Sequence, residues 1–106
     1  PFAPELIVVD VSFISLTRIL PAAIAVMAPG AELVTLIKPQ FEAGREQVGK
    51  GGVVRDEAVR REVVDNIRAF GEEELGLTCC GVCESPVHGP AGNVEFLAYW
   101  RCSGQG

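Results

Sequence analysis

The chain has 106 residues, of which 48% are hydrophobic and 22% are charged, a composition typical of one globular domain or part of one. No apolar run reaches the roughly 18 residues that a membrane span needs, and the opening segment Pro1–Pro4 does not resemble a secretory signal. The formal net charge of −5 is unfavourable for general nucleic-acid binding, because phosphate contacts supply most non-specific affinity. Any contact with RNA therefore has to come from a local basic patch.

Two continuous apolar stretches predict parallel strands near the start of the chain. They are Leu6–Val9, which leads into Asp10, and Glu32–Lys38. Continuous rather than alternating hydrophobicity is typical of strands buried on both faces. Leu16–Met27 predicts a helix between them, in which Pro21 either causes a kink or marks a late start. This β-α-β order predicts a parallel pair with a right-handed crossover.

Residues 39–54 are rich in glycine and charge and predict a long irregular loop, which is often functional. Within it, residues 44–51 match the GxxxxGK pattern of a phosphate-binding loop, but Gly51 replaces the hydroxyl residue that would bind magnesium. A flexible loop is therefore favoured over a nucleotide site. After it, Asp56 is predicted to cap a helix that runs to about Phe70 and ends at Gly71.

The remaining sequence predicts two more strands, Leu77–Glu84 and Val94–Cys102. Their connection has no helical pattern, so we expect them to pair antiparallel. The predicted fold class is α/β in the order β-α-β-α-β-β, with two parallel strands followed by a C-terminal antiparallel pair.

The cysteines include one CxxC pair, Cys80 and Cys83, besides Cys79 and Cys102. A single CxxC is a weak signal for zinc, which needs four ligands in a structural site. In a regular strand Cys80 and Cys83 would also face opposite sides. Reduced cysteines without a metal, and hence a cytoplasmic location, are the favoured interpretation.

Charged residues follow both predicted parallel strands. Asp10 comes directly after the first strand and Lys38 ends the second. Ligands of open α/β sheets bind beyond the carboxyl ends of the strands, which makes both residues candidates for chemistry. The alternative is that each simply marks the point where a strand meets water.

Four ordered segments of the chain resemble the haemolysin-A-like branch of the FtsJ-like ribosomal RNA 2′-O-methyltransferase family. The similarity covers nearly the whole chain and is carried by residues 10–16 (DVSFISL), 38–45 (KPQFEAGR), 48–56 (VGKGGVVRD) and 85–97 (SPVHGPAGNVEFL).

The resemblance implies a partial Rossmann-like methyltransferase fold, the donor S-adenosylmethionine, and methylation of ribose 2′-hydroxyls in ribosomal RNA. Three members of the family's Lys-Asp-Lys-Glu catalytic set correspond to Asp10, Lys38 and Glu95. The first lysine, most of the donor site and an RNA-binding domain would lie upstream of Pro1. We therefore expect residues 1–106 to be the C-terminal half of a single methyltransferase domain, with little activity alone.

A 2′-hydroxyl is a weak nucleophile and needs a base and exact placement. Lys38 is interpreted as that base, oriented by Asp10 and Glu95, although a charged Lys38 that holds the hydroxyl oxygen stays open. Asp10 and Ser12 are predicted to contact the donor. The predicted RNA contacts are Arg45, Lys50 and Asn93.

The expected partner is ribosomal RNA or a ribosomal subunit, without membrane association. Two other interpretations stay open: a non-catalytic RNA- or protein-binding module, and a membrane-active haemolysin, although no basic amphipathic helix supports the latter. The apolar strand Leu6–Val9 is also expected to form an unprotected sheet edge, through which the chain would self-associate.

Overall fold

The computed structural model describes residues 5–102. Its helices and strands are β1 (Leu6–Val9), α1 (Leu16–Ala25), β2 (Glu32–Ile37), α2 (Pro39–Glu42), α3 (Glu57–Ala69), β3 (Thr78–Glu84) and β4 (Phe96–Arg101). No helix among these residues is long and apolar enough to cross a membrane.

The four strands form one sheet in the order β1-β2-β4-β3. β1 and β2 are parallel, whereas β4 pairs antiparallel with both β2 and β3. The predicted α/β class, the parallel pair and the C-terminal antiparallel pair are therefore confirmed. β2 and β4 occupy the centre of the sheet, and their ladder ends with Ile37 opposite Phe96.

The hydrophobic core lies on one face of the sheet. Every second residue of β2 is buried, which gives a period of two. These positions contact apolar residues from α1 and α3, so both helices cover the same face. The core consists of Val9, Leu16, Leu20, Leu33, Ile37, Val63, Ile67, Leu77, Ala98 and Trp100.

Helix α1 begins at Leu16, so the late start at Pro21 was wrong. Ser15 caps the helix, and its hydroxyl oxygen accepts a hydrogen bond from the backbone N–H of Thr17. Pro21 lies inside the helix, after the buried Leu16 and Leu20 and before the helix end at Ala25.

The prediction that residues 39–54 form an irregular loop was wrong in part. The segment contains α2, a 3₁₀ turn at Arg45–Gln47 and an isolated bridge between Gly49 and Val53. Pro39 occupies the first helical turn of α2, where its missing N–H costs nothing and its fixed φ favours the helix. A four-residue helix is too short to show in an apolar periodicity.

Helix α3 is capped by Asp56 as predicted and ends at Ala69, close to the predicted end at about Phe70. Gly71 does not stop the helical path, however, because the chain continues through a π-helical turn, Phe70–Glu74. Gly71 faces the buried Trp100, and a Cβ built there would lie 2.4 Å from Cζ3 of the indole. The glycine therefore serves close packing, and a turn with positive φ follows at Gly76.

Strand β3 is irregular, with a bulge between Cys79 and Gly81. The bulge interrupts the alternation from which we expected Cys80 and Cys83 to face opposite sides. Both thiols are exposed and free. Within residues 5–102, no group of three or more His, Cys, Asp and Glu side chains is placed to hold a metal ion.

Candidate active site

The parallel strands β1 and β2 bring Asp10 and Lys38 together at the end of the sheet where both strands have their carboxyl ends. Asp10 follows the last residue of β1, and Lys38 follows the last residue of β2. The Lys38 Nζ lies 2.5 Å from Oδ1 of Asp10 and donates a hydrogen bond of 3.3 Å to the Ser12 hydroxyl. The Lys38 side chain is 13% exposed, whereas that of Asp10 is 55% exposed. The Lys38 amine is thus sheltered, and its carboxylate partner is open to solvent.

Glu95 lies at the same end of the sheet, directly before the antiparallel strand β4. It directly precedes Phe96, the partner of Ile37, so Glu95 and Lys38 each lie one residue beyond the last pair of the ladder. Glu95 is 5% exposed, and its Oε2 accepts a hydrogen bond of 2.7 Å from Nε2 of Gln40. The structure therefore places all three predicted catalytic residues at one end of the sheet, with Lys38 paired directly to Asp10.

Helix α2 is fixed to α1 by Glu42, a contact that the sequence analysis missed. One carboxylate oxygen of Glu42 accepts from the Ser15 hydroxyl at 2.6 Å, and the other accepts from the backbone N–H of Leu16 at 2.8 Å. A carboxylate at a helix N-terminus accepts hydrogen bonds from free N–H groups and interacts favourably with the positive end of the helix dipole. Glu42 thereby holds the segment after Lys38 against the segment after Asp10.

Phe13 is an exposed aromatic side chain beside this cluster. It is 89% exposed and has a φ of 67°, a left-handed conformation that costs roughly 1–3 kcal/mol for a residue other than glycine. Its ring centroid lies 4.8 Å from that of Phe41, with the planes inclined by 53°. Strained, exposed residues of this kind concentrate at functional sites. The sequence offered no signal for it beyond its place in the segment after Asp10.

The three predicted RNA contacts have different surroundings. Arg45 and Lys50 are exposed in the loop after α2. Asn93 is 2% exposed, and its amide accepts from Val54 N–H and donates to the carbonyl oxygens of Gly52 and Pro90. This position favours a role for Asn93 in joining two loops, and its contact with RNA stays a prediction.

Charged residues beyond the carboxyl ends of two parallel strands are the usual position of a ligand site in an open α/β sheet, and comparison with known proteins identifies the class as methyltransferase. The profile of the FtsJ-like methyltransferase family matches residues 2–102. The chain belongs to the FtsJ-like methyltransferase family.

Several individual proteins are similar to the chain. YqxC of Bacillus subtilis is 47% identical over 103 residues, which cover 97% of this chain and 36% of YqxC. The 16S/23S rRNA (cytidine-2′-O)-methyltransferase TlyA of Mycobacterium tuberculosis is 46% identical, over 92% of this chain and 36% of TlyA. A solved structure from Streptococcus thermophilus, described as a hemolysin, superposes with a TM-score of 0.92 at 42% identity, covering 96% of this chain and 36% of that one. The chain thus spans about a third of the length of these relatives.

Proposed function

We propose that the protein containing this chain transfers a methyl group from S-adenosylmethionine to ribose 2′-hydroxyls of ribosomal RNA, and that this chain supplies Asp10, Lys38 and Glu95 to the reaction. The contact that carries the proposal is the 2.5 Å pair between Lys38 and Asp10 at the carboxyl ends of two parallel strands. The family membership and the name of TlyA, which specifies a cytidine 2′-O-methyltransferase, support the substrate class.

In this proposal Lys38, as the neutral amine, removes the proton of the 2′-hydroxyl while the hydroxyl oxygen bonds to the methyl carbon. The bond between that carbon and the donor sulfur would break, and its electron pair would stay on sulfur. Acidic neighbours favour the charged form of a lysine, whereas burial favours the neutral form. Asp10 lies against the amine and Glu95 at the same sheet end, so both are placed to stabilise the ammonium that forms once the proton has moved. The direction of the transfer is then from the hydroxyl oxygen to Nζ.

The donor supplies an electrophilic methyl group on a positively charged sulfur when it is bound. The half-exposed carboxylate of Asp10 suits a positively charged ligand, and the exposed Ser12 adds a hydroxyl beside it. These two residues are our proposed contacts of this chain with the donor. The remainder of the donor site would come from the rest of the protein, since the chain spans about a third of its relatives.

RNA would approach the same end of the sheet. The exposed ring of Phe13 offers a flat face on which a base could stack, and Arg45 and Lys50 offer charges to phosphates. These local positive charges would attract RNA phosphates even though the chain as a whole has a net charge of −5.

Methyl transfer to ribosomal subunits by the full-length protein tests this function. With a labelled donor we expect label in RNA and a nucleotide that resists alkaline cleavage, because methylation removes the attacking 2′-hydroxyl. Label on a base instead of a ribose would overturn the ribose assignment. Binding of RNA without transfer would favour the non-catalytic binding module.

The role of Lys38 as the base has its own test. Lys38→Arg keeps a positive charge but cannot lose its proton near neutral pH. We expect this variant to lose the rise in rate with pH that deprotonation of Lys38 produces in the wild type. An unchanged rise would favour the charged Lys38 that only holds the hydroxyl oxygen.

We also propose that residues 1–106 form the C-terminal half of the methyltransferase domain. Calorimetry should then show donor binding by the full-length protein and little or none by this chain alone; equal affinity of the two would contradict the division.

Among residues 5–102, β1 pairs only with β2, and its Leu6 and Val8 are 57% and 62% exposed. We therefore expect the isolated chain to self-associate, and a monomer at high concentration by light scattering would contradict this.

A further inference from the structure

Two residues to which the proposed mechanism gives no role lie against the carboxylate of Glu95. Gln40 donates its Nε2–H to Glu95 Oε2 at 2.7 Å. Gly89 approaches the same oxygen so closely that a Cβ built on it would overlap Oε2 and would lie 3.3 Å from Nε2 of Gln40. One carboxylate oxygen therefore contacts both an amide donor on α2 and the backbone of the loop that precedes β4.

The Gln40 amide uses only part of its hydrogen-bonding capacity. Its Oε1 is a buried atom without a hydrogen-bond partner among the described residues. Buried polar atoms in native structures are nearly always paired, so an unpaired one calls for an explanation, of which a role in a functional site is one. Placing the N–H group against Glu95 is the orientation that suits an ionised carboxylate, since the opposite orientation would set two oxygens against each other.

Gly89 is not required by backbone conformation. Its φ of −79° is accessible to any residue. The absence of a side chain is instead explained by space, because Glu95 occupies the volume that a Cβ would take. An alanine at this position would thus act as a wedge on the carboxylate without straining the loop.

We infer that Gln40 and Gly89 are positioning residues that fix the carboxylate of Glu95 at the sheet end that also carries Lys38, for methyl transfer. The inference rests on the proposed function and adds two residues to it. Gln40 follows Lys38 by two residues on the chain, so one short segment carries both the lysine and the group that orients Glu95. Gly89 leaves room for the same carboxylate oxygen.

Steady-state kinetics of the full-length protein on ribosomal RNA test the inference. Gln40→Met keeps the side-chain length but removes the donor, and Gly89→Ala inserts the wedge. Each should lower kcat roughly tenfold to a hundredfold, the range for a lost hydrogen bond to a charged group. The KM for donor and for RNA should stay within about twofold, because neither residue is assigned a ligand contact.

A double-variant cycle separates positioning from a structural effect. On a Glu95→Ala background, Gln40→Met should cause no further loss, because the group that it positions is gone. Loss of activity that adds fully to that of Glu95→Ala, or wild-type kcat in both Gln40→Met and Gly89→Ala, would overturn the inference.

Two matched controls are available in the chain. Asn66→Ala removes an exposed carboxamide from α3, and Gly81→Ala adds a methyl group where nothing lies within 4 Å. Both should keep kcat within about twofold of the wild type. If the thermal midpoint of Gln40→Met or Gly89→Ala falls so far that the unfolded fraction at the assay temperature accounts for the lost activity, the loss reflects misfolding and counts against positioning.

Nuclear magnetic resonance distinguishes failure of this inference from failure of the proposed function. The side-chain amide protons of Gln40 should shift in Glu95→Ala and in Gly89→Ala, but not in Asn66→Ala. A shift in a protein that does not methylate RNA would overturn the proposed reaction while retaining the contact. No shift in either variant would overturn the inference, whatever the activity.

Discussion

Two polar side-chain pairs connect the region of β2 to β4, and they differ in burial and in how completely their hydrogen-bonding groups are satisfied. In the middle of the sheet, Trp100 Nε1 donates to Thr35 Oγ1 at 3.1 Å, and both residues are 0% exposed. At the end of the sheet, Gln40 donates to Glu95 in a part-buried pair, and the Oε1 of Gln40 has no partner among the described residues. The first pair lies within the hydrophobic core, and the second lies at the sheet end that also carries Lys38.

The difference separates stability from function along a single pair of strands. A satisfied donor and acceptor in the core avoid the cost of an unpaired polar group and fix the packing of a large indole. A partly satisfied amide beside a lysine–carboxylate pair leaves hydrogen-bonding capacity that folding does not use. We therefore expect changes at the end of the sheet to affect the reaction, and changes in its middle to affect folding.

The largest expected effect at the end of the sheet outside Lys38 comes from Asp10→Asn. The substitution keeps shape but removes the charge that lies 2.5 Å from Lys38 Nζ. We expect kcat to fall roughly a hundredfold. The free energy of unfolding should stay within about 1 kcal/mol, because the Asp10 side chain is half-exposed. A variant that loses stability in urea denaturation but keeps its rate would show that Asp10 serves the fold and not the reaction.

Against the middle of the sheet, Gly71→Ala in the π-helical turn should cause the largest loss of stability. The new Cβ would overlap the indole of Trp100, which is fully buried. Overpacking of this kind typically costs roughly 1–3 kcal/mol. Urea denaturation of the full-length protein measures it, with Gly81→Ala as the control. Unchanged stability would show that the π-helical turn relaxes away from the sheet.

Thr35→Val should have a smaller effect of the same kind. It removes the acceptor of the Trp100 N–H and leaves that donor buried without a partner. We expect a loss of about 1–2 kcal/mol in the free energy of unfolding, while kcat of the remaining folded protein stays unchanged. A fall in kcat at constant stability would mean that the middle of the sheet is coupled to the reaction.

The smallest effect concerns the thiols at the sheet margin. Burial raises the pKa of the Cys102 thiol, which leaves less thiolate at neutral pH. Cys102 should therefore react with an alkylating reagent more slowly than the exposed Cys80, and its rate should rise further with pH. Mass spectrometry of partly alkylated protein gives both rates. The Cys102 Sγ lies 3.9 Å from Sδ of Met27, and faster modification of Cys102 would contradict this packing.

The sequence predicted the fold where the signal is local. Continuous apolar runs identified β1 and β2, and Asp56 identified the start of α3. It failed where structure depends on distant partners or on very short segments. The π-helical turn after α3 follows from the contact of Gly71 with Trp100, and α2 has too few residues to show a period.

The candidate site was predictable to different degrees for a similar reason. Asp10 and Lys38 could be inferred from their places after parallel strands, whereas Glu95 came only from the family resemblance. Its neighbour Gln40 lies 55 residues away in the chain, so their contact requires the register of β2 and β4. Glu42 was missed because its partners on α1 lie 26 and 27 residues away.

The central claim is that the group of Asp10, Lys38 and Glu95 performs methyl transfer without being needed for the fold. The most direct measurement is the single-turnover transfer rate of Lys38→Met in the full-length protein on ribosomal subunits, together with its thermal midpoint. We expect a loss of roughly 10²–10⁴-fold in rate with a midpoint and donor affinity like those of the wild type. A rate within about tenfold of the wild type, in a folded protein that binds donor, would contradict it.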